Sequence, residues 1–185
     1  MSDTKYKSVI ESETTITELM IPSYANFGGK VHGGILLSMM DKVAYVCATK
    51  HSGAYCVTVA VEGVEFLSPV EVGELVSLKS SVNYVGNTTM IVGIRVESLN
   101  PKTGNIKHSN SCYFTMAAKD ENNQLTKVPG LKIENVEQLR RFCEGKKLKE
   151  FSIKKRELLK SDLKGYTMDD LIQQCEGEKV EILIN

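Results

Sequence analysis

Asn26-Phe27-Gly28-Gly29-Lys30-Val31-His32-Gly33-Gly34, running directly into Ile35-Leu36-Leu37-Ser38-Met39-Met40-Asp41, is the stretch whose reading decides the fold. It is a glycine-rich loop that feeds a helix. From Gly34 to about Lys50 there is no proline, straight-chain helix formers are frequent, and Gly53 stands just past the end as a stop. The apolar residues Ile35, Leu36, Leu37, Met39, Met40, Val43, Ala44, Val46, Cys47 and Ala48 do not keep to one stripe. The expectation is a long central helix covered over most of its circumference.

Asp41 interrupts that helix, and burial disfavours a charged carboxylate unless it has partners or a task. Two readings stand side by side: an ordinary acid beside Lys42 at one wet edge, or a working carboxylate. The glycines favour the second. Gly28, Gly29, Gly33 and Gly34 let backbone approach a ligand, and free amides at a helix start suit developing negative charge.

Working outward, 185 residues with 42% hydrophobic content suffice for one domain with a real core. Twenty-three basic residues balance 23 acidic ones, so no global field points to nucleic acid. The start, Met1 to Lys7, is polar, and no apolar run approaches the roughly 20 residues of a membrane span. Five scattered cysteines without CxxC spacing read as free thiols in a reducing compartment rather than a disulfide frame or metal site. The chain is expected to be cytoplasmic, without membrane, nucleic-acid, metal or cofactor partners.

Thr14 to Met20 alternates modestly and reads as a first strand, ended by Pro22. After the helix, valine-rich Tyr55 to Phe66 carries Gly63 as an expected bulge, and Glu74 to Val85 follows the Ser68-Pro69 turn. Gly86-Asn87 has the shape of a hairpin connection to Thr88 through Leu99, and Asn100 to Gly104 turns into Ile106 to Ala118. One helix followed by a four-strand antiparallel meander gives an α+β class, a curved sheet wrapped around the helix.

Past Pro129-Gly130 the composition changes, placing a domain at 1–130 and a charged, mainly helical extension at 131–185. Leu139, Phe142, Leu148, Phe151, Leu158 and Leu159 punctuate a lysine-rich segment, Lys146 to Lys164, whose spacing fits one or two amphipathic helices, read as a solvated basic face over a packed stripe in preference to a ligand site. Thr167 reads as an N-cap with Asp169 and Asp170 in the first turn, and Lys179 to Asn185 as a short strand or loose tail.

Ala25 to Gly34, together with Met40-Asp41-Lys42-Val43-Ala44, resembles the signature of hotdog-fold acyl-CoA thioesterases of the cytosolic acyl-CoA hydrolase type. The resemblance spans roughly Thr14 to Ala118. It implies a hotdog domain, self-association as a hotdog dimer and a trimer of dimers, and acyl-CoA as substrate, with coenzyme A leaving as product. The family's catalytic asparagine falls on Asn26 and its catalytic aspartate on Asp41. The coenzyme A contacts fall on Val59, Ala60 and Val61 after the helix, on Thr88, Thr89 and Met90 at the hairpin, and on Arg156 in the extension. Lys30 departs from some relatives, which carry an uncharged or acidic residue there.

The reaction so implied is water attack on a thioester, with Asp41 as general base, Asn26 holding the water or carbonyl, and the amides near Gly33 and Gly34 stabilising the oxyanion. Asp41 lies seven to eight residues beyond those glycines, about 11 Å along one helix. A shared site between two antiparallel helices of a two-fold dimer follows as an expectation. His32 is the competing base, read as a backbone hydrogen-bonder, and Cys47 is read as core. A non-catalytic acyl-CoA-binding regulatory module is the alternative from another class. A hotdog dehydratase would need a carboxylate-paired histidine from among His32, His51 and His108.

Overall fold

The computed structural model describes residues 5–161 and 165–184. The polar start from Met1 to Thr4, residues 162–164 of the lysine-rich segment, and Asn185 lie outside them.

The glycine loop opens α1 (Gly33–Ser52), which ends with Gly53 in the left-handed region at φ 70°. Its buried residues, Leu36, Met39, Met40, Val43, Ala44, Cys47, Ala48 and His51, recur every three or four positions and form one stripe. That stripe lies on a five-stranded antiparallel sheet built from β2 (Thr14–Leu19), β3 (Tyr55–Phe66), β4 (Leu75–Val85), β5 (Thr89–Leu99) and β6 (Ile106–Lys119). Alternate residues of three strands complete the core: Val76, Leu78 and Val82; Met90, Val92, Ile94 and Val96; Phe114, Met116 and Ala118. Each large side chain so buried contributes about 1.5–3 kcal/mol.

Two expectations need correction. The helix is not covered all round: Leu37, Tyr45 and Val46 are 37%, 39% and 38% exposed, and Asp41 is exposed beside them. The strands after α1 are also not a four-strand meander. The order is β2-β4-β5-β6-β3, so only β4, β5 and β6 follow one another. β3 crosses to pair with β6 and leaves its other edge unpaired within the described chain, while the first long strand, β2, pairs with β4. Hairpin chemistry locates turns but says nothing of which edge a strand joins after a helix.

Two smaller expectations hold. Gly63 has φ 57° and sits where the β3 register shifts between Glu62 and Glu65. Gly86 closes the β4–β5 hairpin by donating its amide to the Thr89 carbonyl at 2.7 Å.

Chain contacts divide the molecule into a unit ending at Leu148 and one beginning at Lys149. The first unit therefore continues past the expected boundary at residue 130. β1 (Tyr6–Ser8) and β7 (Gly130–Lys132) form a separate parallel pair, a pairing too short to leave a periodic signal. The start of α2 (Val136–Ser161) also packs here, with Phe142 and Tyr84 in ring contact at 5.2 Å. Gly145 permits this approach, because a Cβ there would lie 2.8 Å from Tyr84 Cβ. The second unit holds the rest of α2 and α3 (Met168–Gln173), which opens on Thr167 and Asp170 in a reciprocal capping box. Residues 179–184 carry no regular structure. No described helix is long and apolar enough to cross a membrane.

Candidate active site

The loop before α1 is braced on itself. Asn26 donates its amide to the Lys30 carbonyl at 2.7 Å, and its Oδ1 accepts from the Gly28 and Lys30 amides at 2.9 and 3.2 Å. Since both bonds to Oδ1 come from backbone N–H groups, the oxygen of this side chain is identified by its partners, and Nδ2 has no hydrogen-bond partner among the described residues. Gly29 makes the tight return at φ 74°, which a side chain would strain. The loop is pinned further by Val31 donating to Val70 and His32 to Tyr24, at 2.9 and 2.8 Å. Lys30 is paired with Glu71, so the departure at that position adds no free cation to the mouth of the site.

His32 is the N-cap of α1, its Nδ1 accepting from the Gly34 amide at 2.9 Å. The backbone-bonding reading of this histidine holds. The same bond corrects the expectation for Gly34, whose amide is occupied by the cap. Gly33, whose amide makes no hydrogen bond among the described residues, stands as the helix-start donor, with a Cβ at that position only 3.2 Å from the Phe66 ring.

Two turns further along α1, Asp41 Oδ1 accepts a hydrogen bond from Thr58 Oγ1 at 2.6 Å. Thr58 precedes the register shift in β3 between Thr58 and Ala60, which sets it apart from the regular alternation of its strand. This residue was missed in the sequence. The available signal was one hydroxyl in the valine-rich run Val57-Thr58-Val59-Ala60-Val61, on the strand next in sequence to the acid-bearing helix. Asp41 and Thr58 share a groove of about 460 Å³ with Lys42, Tyr45, Val46, Tyr55, Cys56 and Val57.

The residues matched to coenzyme A contacts are dispersed. Val59 and Val61 are exposed on the edge strand β3, with Ala60 half-buried between them. Thr88 and Thr89 are half-buried at the hairpin. Met90 is wholly buried in the core, so its side chain cannot touch a ligand at the surface; its place as the first inward position of β5 explains why. Arg156 belongs to the second unit, where it is exposed. Cys47 is core as expected, and burial pushes its thiol up to about 11. His51 is buried with Nε2 on the Pro129 carbonyl, and His108 bonds to Asn110 and Ser111; neither touches a carboxylate. A separate cleft of about 360 Å³ carries Lys79, Arg95, Arg140 and Arg141, each of them already paired with a glutamate.

The arrangement therefore offers a carboxylate buttressed by a hydroxyl, an asparagine with its amide nitrogen free, and a helix-start amide. No group of three metal-binding side chains lies together among the described residues.

Comparison with known proteins bears on the family and the fold. Residues 28–105 match the family model described as the thioesterase superfamily. Protein VdlD of Helicobacter pylori is 46% identical over 132 residues, covering 71% of this chain and 75% of that protein. A solved hexameric acyl-CoA thioesterase, in its apo form, superimposes with a TM-score of 0.80 at 31% identity, over 82% of this chain and 97% of its own. The acyl-CoA hydrolase of Staphylococcus aureus, solved with butyryl coenzyme A, coenzyme A and coenzyme A disulfide, gives 0.79 at 25% identity, over 85% and 96%. The chain belongs to the hotdog-fold acyl-CoA thioesterase family.

Proposed function

We propose that the protein hydrolyses the thioester of an acyl-coenzyme A to a free acid and coenzyme A, with water activated by Asp41. The observation that carries the reading is the Asp41–Thr58 pair: a carboxylate left exposed on an apolar helix face, held at 2.6 Å by one hydroxyl and opening into a groove. With one Oδ1 lone pair on Thr58, the remaining carboxylate acceptors face a water. As that water's oxygen bonds to the thioester carbon, its proton passes to Asp41. The carbonyl oxygen becomes an oxyanion, met by Asn26 Nδ2 and the Gly33 amide. Collapse of the tetrahedral species breaks the carbon–sulfur bond, and the thiolate recovers the proton from Asp41. A positioned base contributes about 10²–10⁴-fold and one oxyanion donor about 10²–10³-fold.

Gly33 and Asp41 lie about 12 Å apart along one helix, too far for a single carbonyl to meet both. The site is therefore assigned to two subunits, Asn26 and Gly33 of one facing Asp41 and Thr58 of the other. Support comes from the unpaired β3 edge and from the exposed Leu37, Tyr45 and Val46 on α1, which a second copy about a two-fold axis would cover. The hexameric relative favours a trimer of such dimers. Coenzyme A is assigned to Val59, Ala60 and Val61 and to Thr88 and Thr89. Five free cysteines suit a reducing, cytoplasmic setting.

The test is release of coenzyme A thiol from an acyl-CoA, read beside equilibrium binding of the same compound. Catalytic release at rates set by enzyme concentration is expected. Binding without release would leave a regulatory module in place of a hydrolase.

A further inference from the structure

The groove that holds Asp41 has a second feature at its other end. Tyr45 on α1 and Tyr55 on β3 meet edge to face, ring centroids 6.2 Å apart and planes at 62°. α1 and β3 are thus joined at two points, by Asp41 with Thr58 and by Tyr45 with Tyr55. Val46, Cys56 and Val57 line the space along which the groove runs, and the stem of exposed Lys42 lies at it as well. One end of this groove is the proposed chemistry and the other is an aromatic wall; beside Lys42 the rest of the lining, Val46, Cys56 and Val57, is apolar. Such a channel, continuous with the base that activates the water, suits a hydrocarbon attached to the carbonyl under attack.

Its length follows from the two elements that form it. Asp41 to Tyr45 is four residues of helix, about 6 Å, and Thr58 to Tyr55 is three residues of strand, about 10 Å. An extended chain advances about 1.2 Å per bond, taking the roughly 3.6 Å that a fully extended backbone covers in three bonds. Five to eight bonds beyond the carbonyl therefore reach the tyrosines.

Building on the thioesterase reading, we infer that the Tyr45–Tyr55 pair closes the acyl channel and makes this enzyme selective for short and medium acyl groups, up to about eight carbons. The second copy that supplies Asn26 covers the channel's open side. Each methylene that fits the channel gains by leaving water, whereas one that meets the ring pair must displace it or bend into solvent.

The experiment is kcat/KM for acetyl-, butyryl-, hexanoyl-, octanoyl-, decanoyl- and palmitoyl-CoA with the wild type and with Tyr45→Ala, Tyr55→Ala and Val57→Phe. The wild type is expected to peak at or below octanoyl and to fall beyond it. Each alanine variant raises the decanoyl-to-butyryl ratio by about tenfold, as two further methylenes find room. Val57→Phe lowers the octanoyl-to-butyryl ratio. Where an alanine variant fails to fold or to dimerise, Tyr55→Leu reads the same ratio with less loss of packing. Palmitoyl-CoA turned over as well as butyryl-CoA by the wild type, or ratios unchanged in folded tyrosine variants, would overturn the assignment while leaving the hydrolase intact. Absence of hydrolysis for every acyl-CoA would instead remove the thioesterase reading on which it rests.

Discussion

The inner and outer faces of α1 carry much the same apolar vocabulary and meet opposite fates. On the inner face, Met40, Val43, Ala44 and Cys47 have no exposed surface, sealed against β4, β5 and β6. On the outer face, Leu37, Tyr45 and Val46 keep more than a third of theirs, and a carboxylate stands among them. One face is finished by the chain itself, and its residues act by filling volume. The other is, in the proposed mechanism, completed by a second copy, with Asp41 acting by chemistry. A helix that looks hydrophobic all round is thus two half-helices with separate jobs, and substitutions on the two faces should separate activity from stability.

The largest separation is expected at Asp41. Asp41→Ala removes the proposed base and is expected to lower kcat by about 10²–10⁴-fold. Because the side chain is exposed, the melting temperature should move little. Near-normal turnover in a folded variant would return Asp41 to an ordinary surface acid and break the contrast.

Met40→Ala, one residue earlier and on the opposite face, should do the reverse. Truncating a fully buried methionine costs about 2–5 kcal/mol. Denaturant unfolding should register that loss, while kcat measured well below the melting transition stays within a few-fold of wild type. A stable variant with collapsed turnover would mean that the inner face takes part in the reaction.

A smaller effect sharpens the inner face at its C-terminal end. His51 is buried with Nδ1 unpartnered and Nε2 bound to the Pro129 carbonyl. Burial holds its pKa below the ordinary value, and the neighbouring Lys7 adds to that, against opposing effects of the Pro129 bond and Glu11. The folded state thus prefers neutral histidine. Its contribution is fully present above the unfolded pKa of about 6.5 and is lost as pH falls from there through the lower folded value. Melting temperatures followed from pH 8 to pH 5 should fall more steeply for the wild type than for His51→Gln. Equal slopes would place the acid sensitivity elsewhere.

Much of this contrast was legible in the sequence, and the portions that were not have identifiable physical reasons. The glycine loop, α1 with its Gly53 stop, the Gly86-Asn87 hairpin and the Gly63 bulge are local events, encoded by backbone freedom and propensity within a few residues. The pairing of β3 with β6 is not local, since nothing in Tyr55 to Phe66 names its neighbour. Thr58 escaped notice for the same reason: its partner is seventeen residues away on another element. That the Gly34 amide is taken up by His32 is not legible either, because the cap depends on a loop conformation that composition leaves open. The end of the first unit at Leu148 rather than residue 130 reflects Phe142 and Gly145 meeting Tyr84, a contact invisible until the strand is placed.

In the proposed mechanism the outer face of α1 becomes a site only opposite a second copy. The most direct test mixes two inactive proteins, Asn26→Ala and Asp41→Ala, under conditions of subunit exchange, and measures thiol release from an acyl-CoA. A mixed dimer carries one site with both residues intact and one with neither. Equal mixing at statistical exchange should therefore restore about a quarter of the wild-type sites. Recovery toward that level is the predicted result. No recovery, with heterodimers demonstrated in the same sample, would mean that each chain builds its own site and would rule out a shared one.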